Sequence, residues 1–281
     1  AVHPAIRITP QAVNATREAP GPRHLSDPYT VDIMLPRSIA AGLGLLTLLM
    51  ATQAGASISL SATRIVFDGE HKEANITVRN GNQDVLIQSW VDTSDAQASA
   101  APFAVTPPLA RIFAKEQQLL RILYQGSGMP ADRESVIWLN VQEIPQAAAS
   151  DNTLQLAVRQ RIKIFFRPAG LPGSALSAPA QLEWQLQKRG AESWLSVKNP
   201  TLYHVSMADI KLQAGQQTEL AADSTMIAPG AEKQFSVKQL GGYETVQLSF
   251  SSINDYGAQD KYTAQLSTRL TAKATEARTR Q

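Results

Sequence analysis

The stretch NTLQLAVRQRIKIFFRP, residues 152–168, alternates apolar and polar side chains in the way that a β-strand requires. One of its faces carries six apolar residues, interrupted only by Gln160: Leu154, Leu156, Val158, Ile162, Ile164 and Phe166. At roughly 3.3 Å per residue this face reaches about 40 Å, whereas a usual strand covers about 17–20 Å. A small domain cannot cover an apolar face of that length. We therefore expect part of the face to serve something other than the domain's own core.

Short strand-like segments of the same kind recur along the chain, from SISLSATRIVF at residues 57–67 onward, and turn-forming stretches such as FDGE and QGSGMP separate them. A spacing of about eight to twelve residues between turns is typical of antiparallel sandwiches. The pattern predicts an all-β fold with very little helix, because no long window has a helical apolar period.

A stretch rich in Pro, Gly, Ser and Ala, residues 167–179, interrupts the strand pattern and indicates a linker between two sandwiches. The predicted division of the chain therefore has four parts: an N-terminal domain at 57–168, a linker at 169–180, a C-terminal domain at 181–273 and a polar tail at 274–281.

Residues 34–56 have the three parts of a secretory signal peptide: a basic start at Arg37, a short apolar core and the small residues Ala54-Gly55-Ala56. A membrane anchor is the alternative, but the apolar run is nearer a dozen residues than the roughly 20 that span a bilayer. Residues 1–33 have no strand or helix period. We expect them to be untranslated upstream sequence or disordered, and they are excluded from the fold prediction.

The composition excludes several classes of function. The chain has no cysteine, so it has no disulfide scaffold, thiolate metal site or cysteine nucleophile. With 26 basic and 24 acidic residues its charge is nearly balanced, which does not favour a nucleic-acid partner. No GxSxG, HExxH, P-loop or GxGxxG motif is present. We expect a binding protein that is not an enzyme and has no catalytic residue, metal or cofactor.

Four stretches of the mature chain together resemble one family, the periplasmic chaperones of chaperone–usher pilus assembly. They are ATRIVF at 62–67, MPADRESVIWLNVQEIP at 129–145, RIKIFFRP at 161–168 and SINDYG at 252–257. The resemblance implies two immunoglobulin-like β-sandwich domains in an L-shape with an interdomain cleft. It also implies a periplasmic protein, without a membrane anchor after signal cleavage. Its expected partners are pilus subunits, including an adhesin, and the outer-membrane usher.

The resemblance assigns roles to individual residues. Leu154, Leu156 and Val158 would form the donor strand that completes an unfinished subunit. The alternative, that they face this domain's own core, stays open. Arg64 and Lys163 would hold the C-terminal carboxylate of the subunit.

A second set of residues is expected to fix the angle between the domains. The resemblance implies an ion network of Glu143, Arg167 and Asp255. The loop at 146–153 is short, which is typical of the branch that serves rod-forming pili with adhesins. Without a subunit, we expect the exposed apolar edge to cause self-association, or a mobile loop to cover it. The alternative function is a secreted two-domain immunoglobulin-like adhesin or binding module.

Overall fold

A computed structural model of the chain describes residues 58–93, 101–144, 157–190, 192–240, 242–268 and 270–277. The predicted upstream segment and signal peptide lie outside these ranges, as do Leu154 and Leu156. Within them, no helix is both long enough and apolar enough to cross a membrane.

The described residues are almost entirely β-structure, which confirms the predicted fold class. The first half contains β1 (Ile58–Leu60), β2 (Arg64–Asp68), β3 (Glu73–Asn80), β4 (Val85–Asp92), β5 (Phe103–Thr106), β6 (Leu109–Ile112), β7 (Gln117–Tyr124), β8 (Ser135–Ile144) and β9 (Arg159–Arg167). The second half contains the short helix α1 (Ala178–Gln181) and β10 (Glu183–Arg189), β11 (Glu192–Lys198), β12 (Val205–Ala214), β13 (Gln217–Ile227), β14 (Glu232–Val237), β15 (Thr245–Ile253), β16 (Gln259–Ser267), β17 (Ala272–Lys273) and β18 (Thr275–Glu276).

The first sandwich packs a sheet of order β1-β3-β7-β5 against a sheet of order β2-β9-β8-β4-β6. The segment at 57–67, expected as one strand, is divided: β1 pairs with β3 in one sheet and β2 pairs with β9 in the other. The β2–β9 pair is parallel, whereas the other strand pairs of this sandwich are antiparallel. By crossing between the sheets, the chain brings Arg64 next to β9.

Aliphatic side chains from both sheets fill the first core. Ile87, Leu120, Leu139 and Ile164 are completely buried there, because each lies on the inward face of its strand. Aromatic rings complete this core at one end, where Phe67 packs against Phe103, Tyr124 and Phe166.

The second sandwich packs a sheet of order β14-β11-β10-β17 against one of order β13-β12-β15-β16-β18. Trp184 is fully buried at its centre, 5.2 Å from the ring of Phe250, on which Tyr262 stacks. Ala274, at the start of the predicted polar tail, is buried, and β18 pairs with β16 just after it.

Candidate functional site

Two cations lie side by side where β2 and β9 run parallel. The register of the pair sets Arg64 directly opposite Lys163, and both side chains are half-buried. The guanidinium of Arg64 lies 5.6 Å from the centre of the Phe165 ring and its Nη1 donates a hydrogen bond of 2.8 Å to the carbonyl oxygen of Ile253. The amine of Lys163 lies 5.5 Å from the centre of the Trp138 ring. Aromatic faces and one carbonyl therefore orient both cations.

The electrostatics of this pair favour an anion. Burial lowers the pKa of Arg64, and the charges of Asp255 and Glu134 act in the opposite direction. Burial also lowers the pKa of Lys163, and the positive charge of Arg64 lowers it further. In addition, Nε of Arg64 is buried and has no hydrogen-bond acceptor among the described residues. A carboxylate placed between the two side chains would relieve their repulsion and accept charge-assisted hydrogen bonds.

The apolar face of β9 changes from exposed to buried along the strand. The exposed fraction is 37% for Val158, 0% for Ile164 and 4% for Phe166. Ile162, between them, is partly buried. The domain's own core therefore covers the C-terminal half of the face and leaves Val158 partly exposed.

Gln160 stands where this change occurs. Its Nε2 donates a hydrogen bond of 2.7 Å to the carbonyl oxygen of Ile58 in β1. The polar interruption of the apolar face therefore has a partner in the opposite sheet.

The edge of β9 changes at almost the same place. β8 pairs with β9 from Arg159 to Phe166, whereas β2 pairs with its other edge only from Lys163 onward. Within the described part of the chain, the second edge of residues 159–162 has no strand partner. An edge of that kind can pair with a strand of another protein.

An ion network joins the two sandwiches. Arg167, at the end of β9, donates two hydrogen bonds of 2.7 and 2.8 Å to the carboxylate of Asp255 and one of 2.7 Å to Glu134. Burial opposes the charged form of Arg167, but the hydrogen bonds and charges of Asp255 and Glu134 outweigh it and raise its pKa. The carboxylate of Glu134 is almost completely buried and also accepts hydrogen bonds from the backbone N–H and the ring Nδ1 of His204.

The expected place of Glu143 in this network is wrong. β8 and β9 are antiparallel, with Ser135 opposite Phe166 and Gln142 opposite Arg159. Glu143 is therefore at the far end of β8 from Arg167, roughly 30 Å away at about 3.3 Å per residue. Glu134, just before β8, takes the position instead.

Two contributors to the interface were missed from the sequence. Glu134 could have been found by pairing the start of β8 with the end of β9, as antiparallel strands require. Phe165 lies on the otherwise polar face of β9, where its apolar side chain is the exception. It is buried, with its ring 6.1 Å from the ring of His204 in the second sandwich.

Both sandwiches match family models. The PapD N-terminal domain, described as a pili and flagellar-assembly chaperone, matches residues 57–172. The PapD C-terminal domain, described as a pili assembly chaperone, matches residues 177–264. The chain belongs to the PapD family of pilus-assembly chaperones.

Similar proteins cover most of this chaperone. The probable fimbrial chaperone YadV of Escherichia coli K12 is 38% identical over 223 residues, which are 75% of this chain and 90% of that protein. The chaperone FimB/FhaD of Bordetella pertussis is 35% identical over 228 residues, 76% of this chain and 90% of that one. A crystal structure of YadV superposes with a TM-score of 0.65, covering 75% of this chain and all of that one. These similarities do not favour the alternative of an adhesin or binding module.

Proposed function

We propose that this protein binds newly secreted pilus subunits in the periplasm, holds them by donor-strand complementation and delivers them to the outer-membrane usher. The single observation that carries the proposal is the half-buried pair of Arg64 and Lys163, two cations at one register position beside a strand edge that has no partner among the described residues. That combination suits the end of a polypeptide: the edge pairs with its backbone, and the cations bind its terminal carboxylate.

Solved structures support this partner and this compartment. A structure of the Salmonella enterica pilin SafA in complex with the chaperone SafB is 29% identical, with a TM-score of 0.61, covering 74% of this chain and 95% of that one. A crystal structure of the periplasmic chaperone SfaE is 30% identical, with a TM-score of 0.57. The predicted signal peptide is consistent with the same location, and the chaperone relatives support a function without catalysis.

In the proposed complex the strand edge and the apolar face act together. The backbone of β9 pairs with edge strands of the subunit, and Leu154, Leu156 and Val158 fill the groove left by its missing strand. Burying an aliphatic side chain is worth about 1.5–3 kcal/mol, so three contribute about 5–9 kcal/mol before the costs of ordering. Arg64 and Lys163 fix which subunit residues meet these three side chains, because they hold the chain end at one point.

The proposed function predicts that both cations are needed for stable capture. The test is a periplasmic pull-down of residues 57–281, co-expressed with pilin-like subunits encoded near its gene. Wild type should give a one-to-one complex that Arg64→Ala and Lys163→Ala both lose. Arg79→Ala, an exposed arginine in β3 of the other sheet, is the matched control and should keep the complex.

Two results would contradict parts of the proposal. A complex that survives both anchor substitutions would keep the chaperone function but place the carboxylate site elsewhere. No complex between wild type and any subunit would contradict the chaperone function itself.

A further inference from the structure

The turn that follows β15 is held rigidly by its own hydrogen bonds. The backbone N–H of Gly257 donates to the carbonyl oxygen of Asn254 at 3.0 Å. The side-chain oxygen of Asn254 accepts from the N–H groups of Tyr256 and Ala258 at 3.1 and 3.0 Å. A turn closed in this way moves as a unit, so contact at one of its residues affects the others.

This turn of the second sandwich contacts two arginines of the first, Arg64 and Arg167. The carbonyl oxygen of Ile253, at its start, accepts the hydrogen bond from Nη1 of Arg64. Asp255, within the turn, binds the guanidinium of Arg167 through both carboxylate oxygens. The position of the turn therefore sets the orientation of Arg64.

Gly257 lies where the turn packs against Thr63 of the first sandwich. Its φ angle is +84°, and a Cβ atom added there would lie 2.6 Å from Oγ1 of Thr63, the residue just before Arg64. Real Cβ atoms do not come that close to another heavy atom. A glycine is required here both by the backbone conformation and by the neighbouring threonine.

A small displacement at this contact is enough to disturb Arg64. Unless the hydroxyl of Thr63 rotates away, Cβ and Oγ1 would have to separate by about 0.8 Å to reach an ordinary contact of about 3.4 Å. If the carbonyl oxygen of Ile253 moved away from Nη1 of Arg64 by that amount, their hydrogen bond would lengthen from 2.8 Å to about 3.6 Å. That distance is beyond hydrogen-bond length.

We propose that Gly257 is a positioning residue for the carboxylate site, because it lets the second-domain turn pack against Thr63 and so place the Ile253 carbonyl on Arg64. This inference rests on the proposed function and deepens it. The second sandwich then takes part in subunit recognition, by orienting one of the two cations that bind the subunit's end.

The test uses a subunit that binds wild type in the pull-down. Two synthetic peptides with the sequence of its C-terminal strand are compared. One ends in a free carboxylate and the other in an amide, and binding is measured by isothermal titration calorimetry. The preference for the acid should fall about tenfold in Gly257→Ala, which is the value of one charge-assisted hydrogen bond. Affinity for the amide should be unchanged, since a merely structural defect would weaken both peptides.

Two further variants distinguish the effect of the contact with Thr63 from the effect of backbone strain at the substituted glycine. The double substitution Thr63→Ala with Gly257→Ala removes Oγ1 and should restore the acid preference measured for Thr63→Ala alone. Gly126→Ala introduces the same left-handed strain, at φ +92°, where no atom lies within 4 Å of the new Cβ, and should bind like wild type.

Each outcome decides the inference. An unchanged acid preference in Gly257→Ala, or a double variant that does not recover it, would overturn the role of Gly257 while leaving the proposed function standing. If Gly257→Ala alone does not fold, the double variant decides in the same way. Wild type that binds acid and amide equally would instead contradict the carboxylate anchor, and with it this inference.

Discussion

At the scale of single residues, Glu219 holds the end of β14 in place. Its carboxylate accepts hydrogen bonds from the backbone N–H groups of Lys238, Gln239 and Leu240, at 2.6, 2.8 and 3.0 Å. Burial raises the pKa of Glu219, but these three hydrogen bonds and the charge of Lys238 outweigh it and lower the pKa below the ordinary glutamate value. The ionised side chain therefore stabilises the fold.

Replacing this carboxylate should make stability less dependent on pH. We expect Glu219→Gln to lower the free energy of unfolding by about 1–3 kcal/mol at neutral pH, because the amide group faces backbone donors. A carboxyl group with a lowered folded pKa contributes fully above its unfolded pKa and loses that contribution as the pH falls through the folded value. Urea unfolding of both proteins between pH 7 and about pH 3 measures the difference. A gap between them that stays constant down to the lowest pH would contradict this role.

Most individual roles at this scale could not be predicted from composition or spacing. Arg64 and Lys163 were named because the surrounding motifs resemble a family, since an isolated strand arginine or lysine is usually solvated. Gln160 was noticed only as a gap in the apolar face. Its partner, the carbonyl of Ile58, is about a hundred residues away, and alternation along one strand contains no information about such a contact.

At the scale of elements, the two halves of β9 have different surroundings. Its C-terminal half lies between β2 and β8 and buries Ile164 and Phe166 in the core. Toward its N-terminal end one edge has no strand partner among the described residues, and Val158 is partly exposed. A strand much longer than its domain is expected to extend beyond it, and the donor-strand role of Leu154, Leu156 and Val158 stays a prediction.

The partly exposed N-terminal end of β9 predicts self-association of the protein when no subunit is bound. An unpaired strand edge with an apolar face tends to pair with a second copy. We expect light scattering to show concentration-dependent association of wild type, and Leu156→Asp to weaken it because a charge cannot be buried in the paired face. A strict monomer for both proteins at all concentrations would contradict the prediction. In that case the loop before the strand is the expected cover.

At the scale of the whole molecule, a few polar contacts join the two sandwiches. The carboxylate of Glu134 binds both Arg167 and His204, its backbone N–H donates to the carbonyl oxygen of Leu202, and Asp255 completes the network. Each sandwich has a separate apolar core, so these contacts help to fix the relative position of the domains, together with those of Arg64 with Ile253 and Phe165 with His204. The L-shaped arrangement stays a prediction.

Removing the central carboxylate should therefore weaken the connection between the domains. Glu134→Ala leaves Arg167 with one partner fewer, and loss of a buried charge partner costs about 3–5 kcal/mol. We expect a value near the lower end, since Asp255 still binds Arg167. Small-angle scattering should show a larger radius of gyration, and urea unfolding should show the lost stability.

Glu143→Ala is the informative comparison, because the family resemblance of the sequence assigned Glu143 to the ion network between the domains. It should leave the radius of gyration unchanged. If Glu143→Ala opened the molecule as much as Glu134→Ala did, the assignment of the network would be contradicted.

The sequence by itself determined the class of fold, the division into two sandwiches and the family, because alternation, turn residues and ordered motifs are local properties of the chain. It also indicated that the apolar face of 154–166 exceeds what one domain needs. Only the tertiary structure decided which side chains meet: Glu134 rather than Glu143 at Arg167, Phe165 against His204, and Gly257 against Thr63. These contacts join residues far apart in the chain, and strand register and the packing of two domains set their distances, which no local pattern encodes.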